Sequence, residues 1–369
     1  MAIELLDELV FGVREAAWPL IRRDLGLDYA AIGLLISLPY LVATVVEPML
    51  ALLGDTRLRR RLILLGGVAF SLEVLATAAA PGFWFLFMAT ALLAPFSGTF
   101  VTLSQATLMD IRSDDRDRAM AWWAFTGSVG VVAGPLVLAA GIGLGVGWRP
   151  VLAAFAIATL PLIWLASRIR FPVAAAERSL RIATREAFRR LGSASVIRWL
   201  VLLELTDLLG DVLLGFVALY FVDVAGTDLV TGAVAVTVLG IAGLAGDAAL
   251  VPLLRRMDGA VLLRVTAAAV LIAYPAFLLA PSVPAKLALL ALTGLLRTGW
   301  YAIPQARLFD EFHGASGAAV AMGNAGGLVG LAIPLGLGLL AQRIGLGPAM
   351  WVLLAAPIAL LVGVPPRRS

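Results

Sequence analysis

Twelve long apolar stretches run through this sequence and constrain its fold more than any other feature. Each has about the 20 residues that a helix needs to cross a bilayer. Hydrophobic residues make up 61% of the chain, and charged residues make up only 14%, well below the ~25% of soluble domains. Within lipid, backbone polar groups find partners only in helices or closed barrels. These stretches are too long and continuous for barrel strands, so the sequence predicts an all-α integral membrane protein.

The boundaries of the predicted spans follow from the apolar runs. They lie at roughly 3–21, 29–53, 61–80, 83–109, 119–145, 148–167, 196–222, 229–253, 260–280, 285–309, 316–341 and 346–364. The only long loop, 168–195, separates the first six spans from the last six. We therefore predict an N-terminal six-helix bundle (1–167), a cytoplasmic linker (168–195) and a C-terminal six-helix bundle (196–369).

The distribution of arginine predicts the orientation. With the N-terminus inside, the cytoplasmic loops hold 18 arginines, and the outer loops hold only Arg22, Arg23, Arg149, Arg343 and the single lysine, Lys286. Because positive residues accumulate on the cytoplasmic side, both termini are expected there. Residues 1–13 carry only acidic charges, which does not fit a signal peptide. The arginine- and alanine-rich composition is typical of bacteria, so the expected location is the inner (plasma) membrane.

The linker is itself rich in arginine and has an apolar face. Leu180, Ala183, Ala187 and Leu191 recur at helical spacing. We expect a helix that lies on the inner membrane surface and is held there by anionic lipid. The alternative is a flexible tether between the two bundles.

A shift of 200 residues aligns rare polar residues in the two predicted bundles. The segment "ELLDEL" at 4–9 matches "ELTDLL" at 204–209, and "QATLMD" at 105–110 matches "QARLFD" at 305–310. Two further matches are Asp28 with Asp228 and Glu47 with Asp247. Six spans is an even number, so the copies share one orientation. Parallel six-helix repeats build one large class of secondary transporters, with the substrate site between the halves.

The loop between spans 2 and 3, "ALLGDTRLRRRLIL" at 51–64, resembles the signature loop of the major facilitator superfamily. Ala51, Thr56 and Leu58 depart from that signature. The resemblance implies the twelve-helix fold of that superfamily. It also implies a cytoplasmic gate, formed here by Asp55, Arg59, Arg60 and Arg112. The arginines could instead be a charge run that only sets the orientation of the chain in the membrane. Asp55 does not fit that alternative, because an acidic residue does not contribute to orientation.

A second motif, in span 5, resembles the glycine–proline motif of antiporters in the same superfamily. It comprises Gly130, Gly134 and Pro135. Leu138 and Ala139 stand where that motif has further glycines. Small residues four positions apart also allow close helix packing, which is the alternative. A third feature of the superfamily, an arginine in span 4, is replaced by Ser97.

Ionisable residues lie within several predicted spans. Such groups cost roughly 2.5–3.5 kcal/mol at the bilayer centre, so they usually face a cavity and carry function. In the resembled superfamily, spans 1, 4, 7 and 10 line the cavity. By helical spacing, Asp7 and Arg14 share a face of span 1 with Glu15 beside it, and Asp207 and Asp211 share a face of span 7.

Span 10 would contribute a third group to that cavity. By helical spacing, Arg297, Trp300 and Tyr301 share one face of this span. Candidate proton carriers are Asp7, Glu15, Asp207 and Asp211. The alternatives are structural: Arg14 could pair with Asp7 or Glu15, and Arg297 could be a fixed counter-ion for Asp207 or Asp211.

Together these patterns predict a secondary active transporter that is proton-coupled and works by alternating access. The span 5 motif favours efflux of a small molecule; import of a sugar, nucleoside or organic anion is the alternative. No catalytic residue, metal site or cofactor is expected, and the proton gradient is the driving force. The expected partners are substrate, protons and membrane lipids, without nucleic acid, and the expected functional unit is a monomer.

Two further classes of protein are alternatives to a transporter. Asp207-x-x-x-Asp211 and Asp110-x-x-x-Asp114 resemble the aspartate pairs of membrane prenyltransferases, which hold magnesium diphosphate. That enzyme is the remote alternative, although the 200-residue duplication does not fit it. A receptor or assembly protein without transport activity is the other, and the predicted charged cavity speaks against it.

Overall fold

The structure is a computed structural model that describes residues 1–37, 42, 46, 50, 58–111, 116–169, 193–311 and 332–365. Its regular secondary structure over these residues is entirely helical. The N-terminal part comprises α1 (Ala2–Leu25), α2 (29–37), α3 (Arg59–Ala79), α4 (Phe83–Ile111), α5 (Arg116–Gly143) and α6 (Trp148–Arg168).

The C-terminal part contains more and shorter elements. Its α-helices are α7 (Ala194–Thr206), α8 (Asp211–Leu219), α9 (Leu229–Leu254), α10 (Gly259–Leu279), α11 (Val283–Leu296), α12 (Ala302–Glu311), α13 (Ala332–Ile344), α14 (Leu346–Ala349) and α15 (Ala355–Gly363). A 3₁₀ turn at Asp207–Leu209 joins α7 to α8, a π-turn at Tyr220–Val224 follows α8, and a 3₁₀ segment at Met350–Leu354 joins α14 to α15.

Among the described residues, seven helices are long and apolar enough to cross a membrane. They are α3, α4, α5, α6, α9, α10 and the combined segment Leu346–Gly363. The first helix, α1, is long enough but carries Glu4, Asp7, Glu8, Arg14 and Glu15. Its charge, and not its length, separates it from the apolar helices.

The predicted continuous helices of spans 7 and 10 are wrong. Span 7 is interrupted where the Asp211 N–H donates to Asp207 Oδ1 (3.2 Å), so the Asp207 side chain caps the start of α8. Span 10 is interrupted at 297–301, where Gly299 has a φ of 75°. A left-handed residue cannot continue an α-helix, and glycine adopts that conformation without the Cβ clash. The interruptions fall at residues predicted to line the cavity.

Helix packing places α1 at the centre of the molecule. It contacts α5, α6 and α4, and it also contacts α8 and α9 from the C-terminal part. The helix α5 packs on α9, so both α1 and α5 contact the C-terminal part. The acidic helix is therefore buried between the two parts and does not face lipid along its length.

The two parts also meet at one end of the bundle, which we call the closed end. There the end of α1, the start of α2, the π-turn and α13 come together. The helices α2 and α13 cross at Gly33 and Gly338. Deeper in the same crossing, the Leu335 N–H donates to Ser37 Oγ (3.2 Å).

Several local structures recur at the 200-residue spacing. The N–H of Ala31 donates to Asp28 Oδ1, and the N–H of Thr231 donates to Asp228 Oδ1, both at 2.7 Å. Hydrogen bonds from the Thr231 side chain and backbone lower the pKa of Asp228. Left-handed glycines occur in the same register, Gly26 with Gly226 and Gly145 with Gly345.

Candidate functional site

Arg14 lies at the centre of a charged cluster in the N-terminal part. Its Nε is 3.6 Å from Glu15 Oε1, and Glu8, Glu15 and Glu73 all interact with it electrostatically. Glu15 is 4% exposed, and its Oε2 accepts a hydrogen bond from Trp18 Nε1 (3.0 Å). The predicted pairing of Arg14 with Glu15 is therefore present in the structure.

The carboxylate of Glu73 extends this cluster to α3 and α4. Ser97 Oγ donates to Glu73 Oε2 at 2.6 Å, and both residues are buried. Asp7 interacts electrostatically with Glu73 and with Glu8. The sequence does not predict this link between Glu73 and Arg14, because no spacing rule relates α1 to α3.

Arg297 lies at the centre of a second charged cluster, in the C-terminal part. It interacts electrostatically with Asp207, Asp211 and Asp247. Its Nη1 donates to the Leu209 carbonyl (3.1 Å), and its buried Nε makes no hydrogen bond within the described structure. The interruption of span 10 ends α11 at Leu296, and the side chain of the next residue, Arg297, reaches the interruption of span 7 at Leu209.

Asp211 joins the two clusters. It interacts electrostatically with Glu8 and Glu15 of α1, as well as with Arg297. Glu15 reaches the C-terminal part too, because a Cβ at Gly215 of α8 would lie 3.1 Å from Glu15 Oε2. The charges of both parts therefore form one site at the contact between α1 and α8.

The shared face predicted for span 10 is wrong, because the helix is interrupted within it. Trp300 is 3% exposed, and its Nε1 donates to Thr266 Oγ1 of α10 (2.9 Å). It packs inside the C-terminal part. Tyr301 is 69% exposed and interacts electrostatically with Asp207 and Asp211. Tyr301 thus remains with the charged cluster, and Trp300 does not.

The glycine–proline motif of α5 packs directly on α1. A Cβ at Gly134 would lie 2.5 Å from the Leu9 carbonyl, and one at Gly130 would lie 2.6 Å from Glu8 Cβ. Pro135 Cδ would lie 2.9 Å from a Cβ at Gly12 of α1. This close approach supports the helix-packing interpretation of the glycines, and it fixes the acidic helix beside α5.

Gly134→Ala is expected to destabilise the protein by about 1–3 kcal/mol, because the added methyl group overlaps the α1 backbone. The measurement is the midpoint of thermal unfolding of the purified protein in detergent. Gly143→Ala, at the end of the same helix, is the matched control because a Cβ there meets no atom within 4 Å. Equal midpoints for the two variants would contradict the packing role.

The predicted cytoplasmic gate is described only in part. Asp55 and Arg112 lie outside the described residues. Arg59 is 4% exposed at the start of α3, and Arg60 Nη2 donates to the Ser167 carbonyl at the end of α6 (2.7 Å). The contact of Arg60 ties two helices of the same part together.

A helical membrane bundle with charged clusters at the contact between its two parts has the architecture of a transporter. Comparison with known proteins agrees. The family described as the Major Facilitator Superfamily matches residues 9–333, and the chain belongs to that superfamily. It is a transporter and not an enzyme, so the prenyltransferase alternative is wrong. No curated protein matches the chain by sequence.

Solved structures with the same fold include three transporters. A bacterial homologue of the human lysosomal transporter Spinster, in an inward-facing and occupied conformation, is 16% identical over 98% of this chain and 92% of that one (TM-score 0.73). The nucleoside transporter NupG is 14% identical over 98% and 96% (TM-score 0.78). A D-xylose–proton symporter is 13% identical over 99% and 97% (TM-score 0.74).

Proposed function

We propose that this protein is a secondary active transporter that moves a small molecule by alternating access, is coupled to protons and favours export. The observation that carries the proposal is the charged site built from both parts of the chain. Arg14 and Arg297 each stand among carboxylates, and Asp211 interacts with groups of both clusters. A carboxylate in that position can respond to protonation and to rearrangement of the two parts together.

The proposed topology is twelve spans in two parallel six-helix bundles, 1–167 and 196–369, joined by the linker 168–195. The recurrence of the Asp28 and Asp228 caps supports it, as do the left-handed glycines at the same spacing. We place the protein in the bacterial inner membrane with both termini cytoplasmic, on the distribution of arginine. In that orientation the closed end faces outward.

The preference for export rests on the resemblance of Gly130, Gly134 and Pro135 to the glycine–proline motif of antiporters; the same residues also pack α5 on α1. Import is the second candidate. NupG transports nucleosides, and a D-xylose–proton symporter shares the fold. Two arginines at the site would also suit an organic anion. We keep Asp55, Arg59, Arg60 and Arg112 as the proposed cytoplasmic gate, the monomer as the functional unit, and anionic lipid as the partner of the linker.

The test begins with a thermal-shift screen of the purified protein against drugs, sugars, nucleosides and organic anions at two pH values. A compound that raises the unfolding midpoint is then radiolabelled and followed in proteoliposomes under an imposed pH gradient. We expect the gradient to drive movement of the compound against its concentration. Movement of the compound that is independent of the pH gradient would refute proton coupling. The direction of the movement decides between export and import.

A further inference from the structure

Four side chains from both parts of the chain meet at the closed end. Arg22 Nη1 lies 3.0 Å from Asp223 Oδ2, and the Tyr29 hydroxyl donates to the same oxygen at 3.1 Å. The Arg22 guanidinium lies 4.4 Å from the centre of the Tyr29 ring. The Tyr29 N–H donates to Gln342 Oε1 (3.3 Å). These contacts join α1 and α2 to the π-turn and α13.

The π-turn presents Asp223 to the N-terminal part. Its wide hydrogen bonds run from the Ala225 N–H to the Tyr220 carbonyl and from the Thr227 N–H to the Phe221 carbonyl, both 3.0 Å. Such a turn inserts a residue into the helical register and re-aims the side chains that follow. Asp223 thereby faces Arg22 and Tyr29.

Lys286, the single lysine of the chain, holds this turn in place. Its Nζ donates to the Tyr220 hydroxyl (2.8 Å) and to the carbonyls of Phe277 (3.2 Å) and Leu278 (2.9 Å). These carbonyls belong to the last turn of α10, where a cation satisfies unpaired acceptors. Lys286 is 8% exposed, so the contact is internal. It ties the π-turn to two other helices of the C-terminal part.

We propose that Arg22, Tyr29, Asp223 and Gln342 form a latch that holds the closed end shut, and that Lys286 is its positioning residue. If the two parts separate at this end, the ion pair and both hydrogen bonds must break. The bonds from Arg22 and from the Tyr29 hydroxyl are charge-assisted and converge on one carboxylate oxygen, which makes them stronger than an isolated surface pair. The role of the latch in a transport cycle rests on the proposed function, whereas its effect on the closed end does not.

A second ion pair near the same end provides a matched control. Arg149 Nε lies 2.8 Å from Asp24 Oδ2, and the Arg149 guanidinium lies 4.6 Å from the centre of the Trp148 ring. This pair resembles the latch in chemistry but joins α6 to the end of α1 within the N-terminal part. Asp24→Asn therefore removes the same charge without touching a contact between the parts.

The experiment measures distances between spin labels in the purified full-length protein. The chain has no cysteine, so Leu144→Cys and Leu279→Cys can be labelled without removing native thiols. These exposed residues follow α5 and end α10, one in each part. Asp223→Asn is expected to raise the ratio of open to closed populations by about 3–10-fold, and Asp24→Asn is expected to leave it unchanged.

The charge-reversed pair Arg22→Asp with Asp223→Arg provides a second variant. We expect it to recover much of the closed population that either single reversal loses. Unchanged distances in Asp223→Asn, or equal shifts in Asp223→Asn and Asp24→Asn, would overturn the latch. The measurement needs no substrate and no proton gradient, so failed transport assays leave its result intact. Unchanged distances would likewise leave proton-coupled transport standing.

The role of Lys286 is tested through Asp223. Lys286→Met is expected to open the closed end about as much as Asp223→Asn does, and Lys286→Arg is expected to retain part of the closed population. The double variant of Lys286→Met and Asp223→Asn should add little to either single change, because both act on one contact. Additive opening would show that Lys286 acts elsewhere and would refute its positioning role.

Discussion

Arg297→Gln is expected to abolish transport almost completely. The guanidinium is the positive charge shared by Asp207, Asp211 and Asp247, and it also donates to the Leu209 carbonyl. Removing one partner from a buried charge cluster costs about 3–5 kcal/mol. We expect about 2–3 kcal/mol here, because Asp211 and Asp247 are exposed. If that loss falls on the barrier of the transport cycle, the transport rate falls by roughly 100-fold.

The measurement is uptake or efflux in proteoliposomes at matched protein density. Arg264→Gln is the control, because Arg264 Nη2 donates to the Val364 carbonyl (2.8 Å) and is not one of the groups that interact with Asp207, Asp211 or Asp247. Arg297→Lys should recover part of the rate, since it keeps the charge but loses the guanidinium geometry. Near-normal transport by Arg297→Gln would remove Arg297 from the site.

A charge-matched pair separates a fixed counter-ion from a substrate contact. If Arg297 only neutralises Asp207, then Arg297→Gln combined with Asp207→Asn should restore most of the activity lost by Arg297→Gln alone. If Arg297 binds substrate, the double variant should remain inactive while its unfolding midpoint recovers. Asparagine retains an oxygen that can accept from the Asp211 N–H, so the cap of α8 is preserved.

Apolar length was sufficient to predict most helices from the sequence. The predicted spans 61–80 and 148–167 correspond to Arg59–Ala79 and Trp148–Arg168. These boundaries follow from a strong physical signal, because about 20 apolar residues in a row have few other uses. The clustering of the acidic residues on α1 could also be predicted from the sequence, since helical spacing alone places them on neighbouring faces.

The interruptions of spans 7 and 10 were not predicted, because hydropathy does not register a broken helix. The available signals were Gly210 and Gly299 beside polar residues, but glycine is also common in intact membrane helices. The latch was missed for another reason. Arg22 and Asp223 are 201 residues apart, and at the sequence level Arg22 contributed only to the count of outer positive charges. No pattern within one helix relates the two residues.

Asp211→Asn is expected to uncouple transport from the proton gradient while leaving substrate exchange intact. Asp211 is the acid that interacts electrostatically with Glu8 and Glu15 of α1 and also with Arg297. Its charge therefore contributes to the energy of bringing the two parts together. Asparagine is uncharged at every pH. A proton gradient therefore no longer changes the energy of bringing the two parts together at this position.

Two assays on the same proteoliposomes distinguish coupling from binding. Gradient-driven accumulation should fall to the level of empty liposomes, whereas counterflow of labelled against unlabelled substrate should persist within about 3-fold of the wild-type rate, because exchange needs no net proton movement.

Asp228→Asn is the control: it removes one acidic charge at the exposed start of α9, where asparagine can still cap the helix. Retained gradient dependence in Asp211→Asn would assign the proton to another carboxylate. Loss of counterflow as well would make Asp211 part of the substrate site, because exchange requires binding on both sides of the membrane but not the proton.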